Sequence, residues 1–212
     1  MQLQITSIIR VFFAPLKVIV GTPKFIFKTN KVVVQVPYFM PKGSLVESQI
    51  NALGTAIADS ASTSEVVELR LVRLQYPYLD SSILAQYLAL NARKYNFLRM
   101  KKRLFKKTPI SSSSSAVSLK DTKKNGIFSD ASLAKEKQPN LPTWISGVKA
   151  ELAGRLTTQR NRPRKTVTNA HKGSFTVSNE LSSSLNLSQY ASKNKLGAYT
   201  MKVWLSQRDH QS

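Results

Sequence analysis

The residues of this sequence best suited to chemistry are basic, and their spacing suits phosphate groups. Four of them occur at i, i+3, i+4 and i+7, the spacing that puts side chains on one face of a helix: Arg99, Lys102, Arg103 and Lys106. Like charges so close together weaken an isolated helix, whereas a phosphate backbone alongside reverses the sign of the interaction and releases counterions. No acidic residue interrupts the sequence from residue 93 to residue 107. The pattern therefore predicts a helical face that binds nucleic acid.

Two clusters of basic residues form the predicted binding surface. The helical cluster consists of Arg93, Lys94, Arg99, Lys101, Lys102, Arg103, Lys106 and Lys107. The extended cluster consists of Arg155, Arg160, Arg162, Arg164, Lys165 and Lys172. Pro163 favours an extended backbone in the second cluster, and extended arginines reach phosphates in bidentate geometry and stack on unpaired bases. Tyr87, Tyr95 and Phe97 are interpreted as core residues, and no aromatic platform for single strands is expected.

Composition supports a polyanionic partner and argues against catalysis. The 212 residues include 32 Lys and Arg against 11 Asp and Glu, a net charge of +21, so a compact chain repels itself. The absence of cysteine excludes disulfides, thiolate-bound zinc and thiol catalysis. Two histidines and scattered carboxylates give no metal-ligand spacing, and no phosphate-binding loop, dinucleotide fingerprint or nucleophile elbow occurs. We therefore expect no enzyme activity, no cofactor and no metal site.

The apolar stretches argue against a membrane partner. The longest of them, residues 8–20, is interrupted by Arg10, Pro15 and Lys17. A helix needs roughly 20 mainly apolar residues to span a bilayer, so no membrane partner is expected.

The apolar pattern predicts an α/β fold of the α+β kind in two domains, residues 1–76 and 77–212. In the first domain, β-branched and aromatic runs predict a hairpin at residues 24–27 and 32–36. A capping box formed by Ser44 and Glu47 predicts a helix that continues to about residue 60. Alternation at residues 65–74 then predicts a strand.

The second domain is predicted to contain a long helix and a small sheet. Asp80 or Ser81 caps the helix, which is expected to run from residue 82 to residue 107. Strands are expected at residues 147–152 and 199–205. Between the helix and these strands, the Ser- and Lys-rich segment 108–142 is interpreted as a low-complexity insertion.

Three blocks of sequence resemble the universal small-subunit ribosomal protein S-three family in its fungal mitochondrial form. Residues 65–91, which contain Glu-Leu-Arg-Leu-Val-Arg-Leu-Gln-Tyr-Pro-Tyr-Leu-Asp, are similar to the family's central strand and following helix. Residues 147–156, Gly-Val-Lys-Ala-Glu-Leu-Ala-Gly-Arg-Leu, are similar to its Gly-Ile-Lys-x-x-x-Ser-Gly-Arg-Leu strand. Residues 197–205, Gly-Ala-Tyr-Thr-Met-Lys-Val-Trp-Leu, are similar to its closing Gly-x-x-Gly-x-Lys-Val-Trp strand. The blocks occur in the family's order, so together they are more specific than any one alone.

The resemblance implies a structural component of the mitochondrial small ribosomal subunit, bound to rRNA in the head of the subunit beside the channel through which mRNA enters. The implied partners are small-subunit rRNA, mRNA in that channel and neighbouring small-subunit ribosomal proteins, and the implied location is the mitochondrial matrix. In bacterial members, a helix carrying Arg-Arg-x-x-Lys faces the incoming messenger. Leu98 stands at the first Arg of that motif, while Arg99 and Lys102 match the second Arg and the Lys.

The resemblance also implies a type-two KH-like domain at residues 1–76, followed by the family's C-terminal domain. A KH domain holds the nucleic-acid backbone with a Gly-x-x-Gly loop. No Gly-x-x-Gly occurs in this sequence, and Pro41-Lys42-Gly43 stands where the loop would be. We therefore interpret the first domain as a degenerate KH fold that keeps a basic face without the clamp.

Two alternative functions remain open on sequence alone. One is a free-standing basic RNA chaperone or splicing cofactor that acts without a ribosome. The other is an RNA or DNA endonuclease, which ranks lower because a metal-dependent nuclease needs converging carboxylates and this sequence offers none at a suitable spacing.

Overall fold

The computed structural model of the chain describes residues 2–16, 18–28, 31–41, 43, 45–61, 66–110, 143–159, 161, 164–175 and 183–209. Helices and strands are mixed in it, which confirms the predicted α+β class. The chain divides into two compact units, Met1–Leu90 and Asn91–Ser212. Most of the predicted insertion, residues 111–142, lies outside the described residues.

The first unit is built around a small sheet. Its elements in chain order are α1 (Gln2–Phe13), β1 (Ile19–Val20), β2 (Lys24–Lys28), β3 (Lys31–Phe39), α2 (Glu47–Ala61), β4 (Val66–Arg73) and α3 (Ser81–Asn91). Strand β3 is central, since β1 and β2 pair with it antiparallel and β4 pairs with it in parallel. The predicted hairpin, the helix after it and the strand at residues 65–74 are thus confirmed. Ser44, the predicted cap of α2, lies outside the described residues.

Alternation along the strands decides which face of this sheet is buried. One face of β3 packs against α1 and α2, and this core contains Ile5, Ile9, Phe13, Val32, Val34, Val36, Leu53 and Ile57. Val67, Leu69 and Leu71 of β4 pack against the same core, on the side that alternation predicts. Fully burying one such side chain stabilises the fold by about 1.5–3 kcal/mol. Helix α1 was not predicted, although three of its apolar residues recur at helical spacing.

Helix α3 belongs to the first unit. The Asp80 Oδ1 atom accepts a hydrogen bond of 2.9 Å from the main-chain N–H of Ile83, so Asp80 caps the helix as predicted. Ile83 is fully buried in a cluster with Ile19 and Phe39. Because α3 packs against β1 and β3, it is grouped with the first compact unit, which ends at Leu90, whereas the predicted first domain ends at residue 76. Leu90, near the end of α3, is 49% exposed.

The prediction of one long helix at residues 82–107 is wrong. A turn at residues 92–94 separates α3 from α4 (Phe97–Lys107). A helix rotates by about 100° per residue, so on one straight helix Leu88 and Phe97 would lie about half a turn apart. Leu88 belongs to the buried stripe of α3 and Phe97 to that of α4. The break allows each stripe to pack within its own unit.

The second unit contains α4 and an antiparallel sheet. Its strands are β5 (Thr143–Gly154), β6 (Val167–Gly173), β7 (Ser183–Asn194) and β8 (Gly197–Asp209), arranged in the order β6-β5-β8-β7. The two strands predicted here lie within β5 and β8, so the small sheet is confirmed. Strands β6 and β7 were not predicted, since β6 lies in a basic stretch and β7 in a polar one.

Cross-strand pairs give the second sheet an inner and an outer face. The inner face carries three pairs whose members are all buried: Val148–Leu205, Ala150–Val203 and Leu152–Met201. Lys172 pairs with Val148, so its side chain lies on the same face, and it bonds to α4. Helix α4 therefore lies against the inner face.

Candidate nucleic-acid interface

Helix α4 separates its cations from its apolar side chains. Phe97, Met100 and Leu104 recur at i, i+3 and i+7, which places them on one face of the helix, and all three are buried. The basic residues exposed on α4 are Arg99, Lys102, Arg103, Lys106 and Lys107, while Lys101 is half-buried and Arg93 and Lys94 are exposed in the preceding turn. The helical cluster thus faces solvent, and its contact with RNA stays a prediction.

Tyr95 organises two of these cations. The Arg99 guanidinium lies 5.0 Å from the centre of the Tyr95 ring, and the Arg103 guanidinium lies 4.8 Å from it. At these distances the ring attracts both cations and restricts their motion. Tyr95 is half-buried and not a core residue, so its interpretation as core is wrong. Tyr87 and Phe97 do pack, Tyr87 beside Phe39 and Phe97 in the buried stripe.

Lys172 has a structural role that the sequence did not indicate. Its Nζ atom donates a hydrogen bond of 3.0 Å to the carbonyl oxygen of Phe105, in the last turn of α4. This lysine lies at the far end of β6 from Lys165 and is placed with α4. Lys172 is exposed, and its contact with RNA stays a prediction.

The other described members of the extended cluster, Arg155, Arg164 and Lys165, lie around the start of β6. Arg164 and Lys165 are exposed just before the strand, and the main-chain N–H of Gly154 donates to the carbonyl oxygen of Thr166 at 2.9 Å. That bond brings the end of β5, with half-buried Arg155, beside them. Arg160 and Arg162 lie outside the described residues.

A third basic surface, on the first sheet, was missed by sequence reasoning. The face turned away from α1 and α2 carries alternate residues of β2, β3 and β4, and its basic members are Lys24, Lys28, Lys31 and Arg70. The sequence pattern does indicate this surface, because side chains alternate along a strand and Lys24 and Lys28 of the predicted hairpin therefore lie on one side. Glu68 is the acidic residue among the described side chains of this face.

Glu68 binds two of these cations. Lys31 Nζ donates to Glu68 Oε2 at 2.7 Å, and Arg70 Nε donates to Oε1 at 2.6 Å. These hydrogen bonds, that of Lys31 first, lower the pKa of Glu68 from 4.5 to about 2 despite the opposing effect of burial. The carboxylate is therefore charged at neutral pH, while Lys24 and Lys28 stay exposed beside it.

Neither predicted cluster is neutralised by the described chain. The ion pairs among the described residues are Lys31–Glu68, Arg70–Glu68 and Lys202–Glu151. None of these pairs includes a cation of the helical or the extended cluster. The exposed charge of α4 is thus available to an external anion.

The described part of the chain contains neither a cluster of metal-binding side chains nor a membrane-spanning helix. No group of three or more His, Asp or Glu side chains there is arranged to hold a metal ion. No helix in that part combines the length and apolar character needed to cross a membrane.

Two comparisons with known proteins identify the family. A family model described as mitochondrial ribosomal protein (VAR1) matches residues 18–208. The small ribosomal subunit protein uS3m of Mycosarcoma maydis is 33% identical over 207 residues, which cover 89% of this chain and 68% of the relative. The chain belongs to the VAR1 family of mitochondrial ribosomal proteins.

The match to the VAR1 family extends through both units and includes all three sequence blocks. The resemblance to a fungal mitochondrial ribosomal protein is therefore confirmed, and so is the mitochondrial location that it implied. Helix α4 and the extended cluster lie within the part of the chain that matches the VAR1 family.

Proposed function

We propose that this VAR1-family protein is a structural constituent of the mitochondrial small ribosomal subunit, bound to rRNA through the exposed basic face of α4. The observation that carries the proposal is the arrangement of this helix. Its apolar stripe packs in the second unit, while its other side presents cations that no described carboxylate pairs. Phosphates of rRNA supply the missing negative charge. The name of the similar uS3m protein supports the choice of the small subunit.

The finer position proposed is the head of the subunit, beside the channel through which mRNA enters. Arg99 and Lys102 match two cations of the motif that faces mRNA in bacterial members, and both are exposed. Leu98 replaces the first Arg and is 55% exposed, so it adds an apolar contact where the motif has a charge. We expect α4 to contact RNA there with fewer cations than in those members. The other partners in this proposal are neighbouring small-subunit proteins.

The first unit is proposed to be KH-like without the clamp. The order β2, β3, α2, β4 and the parallel pairing of β3 with β4 support this fold. Pro41 and Gly43 follow β3, and the glycine pair of a KH loop is absent from the sequence. The first unit would instead contact the RNA backbone through Lys24, Lys28 and the neighbouring cations of its open sheet face.

A salt titration of RNA binding tests the proposal. Arg99, Lys102 and Arg103 are changed together to Glu, and binding to a transcript of mitochondrial small-subunit rRNA is measured by filter retention across a range of salt concentrations. Wild type should bind more tightly and lose affinity more steeply with salt, by about one unit of log–log slope for each phosphate contact that the variant lacks.

A second triple variant controls for total charge. Arg10, Lys193 and Lys195 are exposed and lie outside both clusters, so changing them to Glu produces the same net charge elsewhere. This control should keep most of the wild-type slope. If the α4 variant keeps the affinity and slope of wild type, α4 is not the RNA-binding face.

A further inference from the structure

The outer face of the second sheet carries a shallow hollow, and none of the residues that line it belongs to the helical cluster. Its volume is about 450 Å³, and its lining consists of Lys149, Asn169, His171, Phe175, Leu185 and Trp204. The strand register explains why these residues meet: His171 of β6 pairs with Lys149 of β5, and Lys149 pairs with Trp204 of β8. His171, Lys149 and Trp204 form one cross-strand row on the face opposite α4.

The hollow combines flat rings with polar groups. The Trp204 indole and the Phe175 ring are half-buried, so each keeps an accessible surface, and Leu185 is 47% exposed at the edge. Asn169 and His171 are exposed and offer an amide and an imidazole for hydrogen bonds. The Lys149 ammonium lies 4.4 Å from the centre of the Trp204 ring. Rings, hydrogen-bonding groups and a cation are what a nucleotide's base and phosphate require.

A glycine holds one wall of the hollow in place. A Cβ atom at Gly147 would clash with the carbonyl oxygen of Ser174 and would lie 3.2 Å from the Phe175 ring. The chain after β6 therefore crosses β5 at a point where no side chain fits. This crossing places Phe175 beside Trp204 on the outer face.

The charge of the hollow selects an anionic occupant. Its lining contains Lys149 and no carboxylate. The acid in the next row of the same face, Glu151, is 3.4 Å from Lys202 and is compensated by it. A peptide segment rich in acidic residues would meet one cation, whereas a nucleotide also uses the two rings and the amide.

We infer that this hollow binds one unpaired nucleotide of an RNA strand, with its base against Trp204 and its phosphate near Lys149. The inference rests on the proposed function, because it takes RNA as the partner, and it adds a second kind of contact to that of α4. Helix α4 contacts phosphates irrespective of the base, whereas the hollow requires a base that is free to leave a helix.

Tryptophan fluorescence tests the inference directly. The sequence contains two tryptophans, so Trp144→Phe leaves Trp204 as the single reporter. This protein is titrated with a short oligouridylate and, separately, with inorganic polyphosphate of matched charge. Oligouridylate should quench the Trp204 emission to a saturating level, because a base stacks on the indole, while polyphosphate should bind without quenching.

Two further variants connect the signal with affinity. Trp204→Leu keeps an apolar side chain and removes the ring, so it should weaken oligouridylate binding by about tenfold and leave polyphosphate binding unchanged. Asn169→Ala combined with His171→Ala alters two exposed side chains of β6, and it should also weaken oligouridylate binding selectively. Leu196→Ala, in the β7–β8 turn outside the hollow, is the control and should bind as wild type.

The outcomes separate this inference from the proposed function. If neither set of hollow variants alters oligouridylate binding while the α4 triple variant loses rRNA affinity, the nucleotide site is wrong and the proposed function stands. If wild type binds none of these RNAs, both are wrong. If the protein self-associates and Trp204→Leu abolishes that association, a second copy of the chain occupies the hollow and the nucleotide assignment is overturned.

Discussion

The Lys172 ammonium holds the last turn of α4 by a hydrogen bond of 3.0 Å to the carbonyl oxygen of Phe105. In a continuing helix, that oxygen would accept from the N–H four residues later, but that residue is Pro109, which has no N–H. The negative end of the helix dipole lies at the same place and favours a cation. Lys172 therefore holds the last turn of α4 on the sheet, while the basic face of the helix stays exposed to solvent.

Replacing Lys172 should lower stability, whereas replacing Lys165 should not. Lys172→Met removes the hydrogen bond to Phe105 and should reduce the free energy of unfolding by about 1 kcal/mol. Lys165→Met removes an exposed lysine before β6 and should leave that free energy unchanged while reducing the salt slope of RNA binding. Urea unfolding of the two variants measures the difference. Equal stability of both variants would show that the bond to Phe105 contributes nothing.

Removing the Tyr95 ring should weaken RNA binding without removing a charge. A guanidinium stacked on a ring still presents its N–H edge to phosphate, so Tyr95 orders Arg99 and Arg103 for binding. Each such contact is worth about 0.5–1 kcal/mol at an exposed site, so Tyr95→Leu should lower RNA affinity several-fold. Tyr95→Phe keeps the ring and should bind as wild type. Filter binding measures the RNA affinity of both variants, and equal affinities of Tyr95→Leu and Tyr95→Phe would contradict the role of the ring.

Acidification should remove the contribution of Glu68 to the stability of the first unit. The pKa of Glu68 is about 2 in the folded protein and 4.5 ordinarily, so the unfolded state takes up the proton first as pH falls. The stabilisation is present above pH 4.5 and is lost between there and about pH 2. In urea unfolding, the advantage of wild type over Glu68→Gln should be constant at neutral pH and shrink across this window. An advantage that is unchanged at pH 2.5 would contradict the assignment.

Local pattern was enough to predict much of the first unit. The hairpin β2–β3, the helix α2 and the strand β4 have strong periodicity and clear boundaries. The break between α3 and α4 was also readable, because Leu88 and Phe97 are out of phase for one helix. The prediction of one continuous helix relied on the spacing of the cations, and that spacing is the same whether or not the helix is broken before α4.

Other features depend on contacts between distant parts of the chain. Strand β7 keeps Leu185 and Leu187 exposed, so its sequence has no buried period, and it is a strand because it pairs with β8. The bond from Lys172 to Phe105 joins residues 67 positions apart. The hollow at Trp204 requires three strands in register. Each of these features joins residues from separate segments, so none of them produces a recognisable pattern in the sequence of a single segment.

Co-sedimentation of the full chain with the mitochondrial small ribosomal subunit tests the central claim most directly. A mitochondrial lysate is separated on a sucrose gradient, and the protein is quantified against small-subunit rRNA in each fraction. We expect the protein to follow the small subunit in near one-to-one ratio, and the α4 triple variant to shift towards the top of the gradient. Recovery of wild-type protein only at the top, away from the subunit, would contradict the claim and favour a free-standing RNA chaperone.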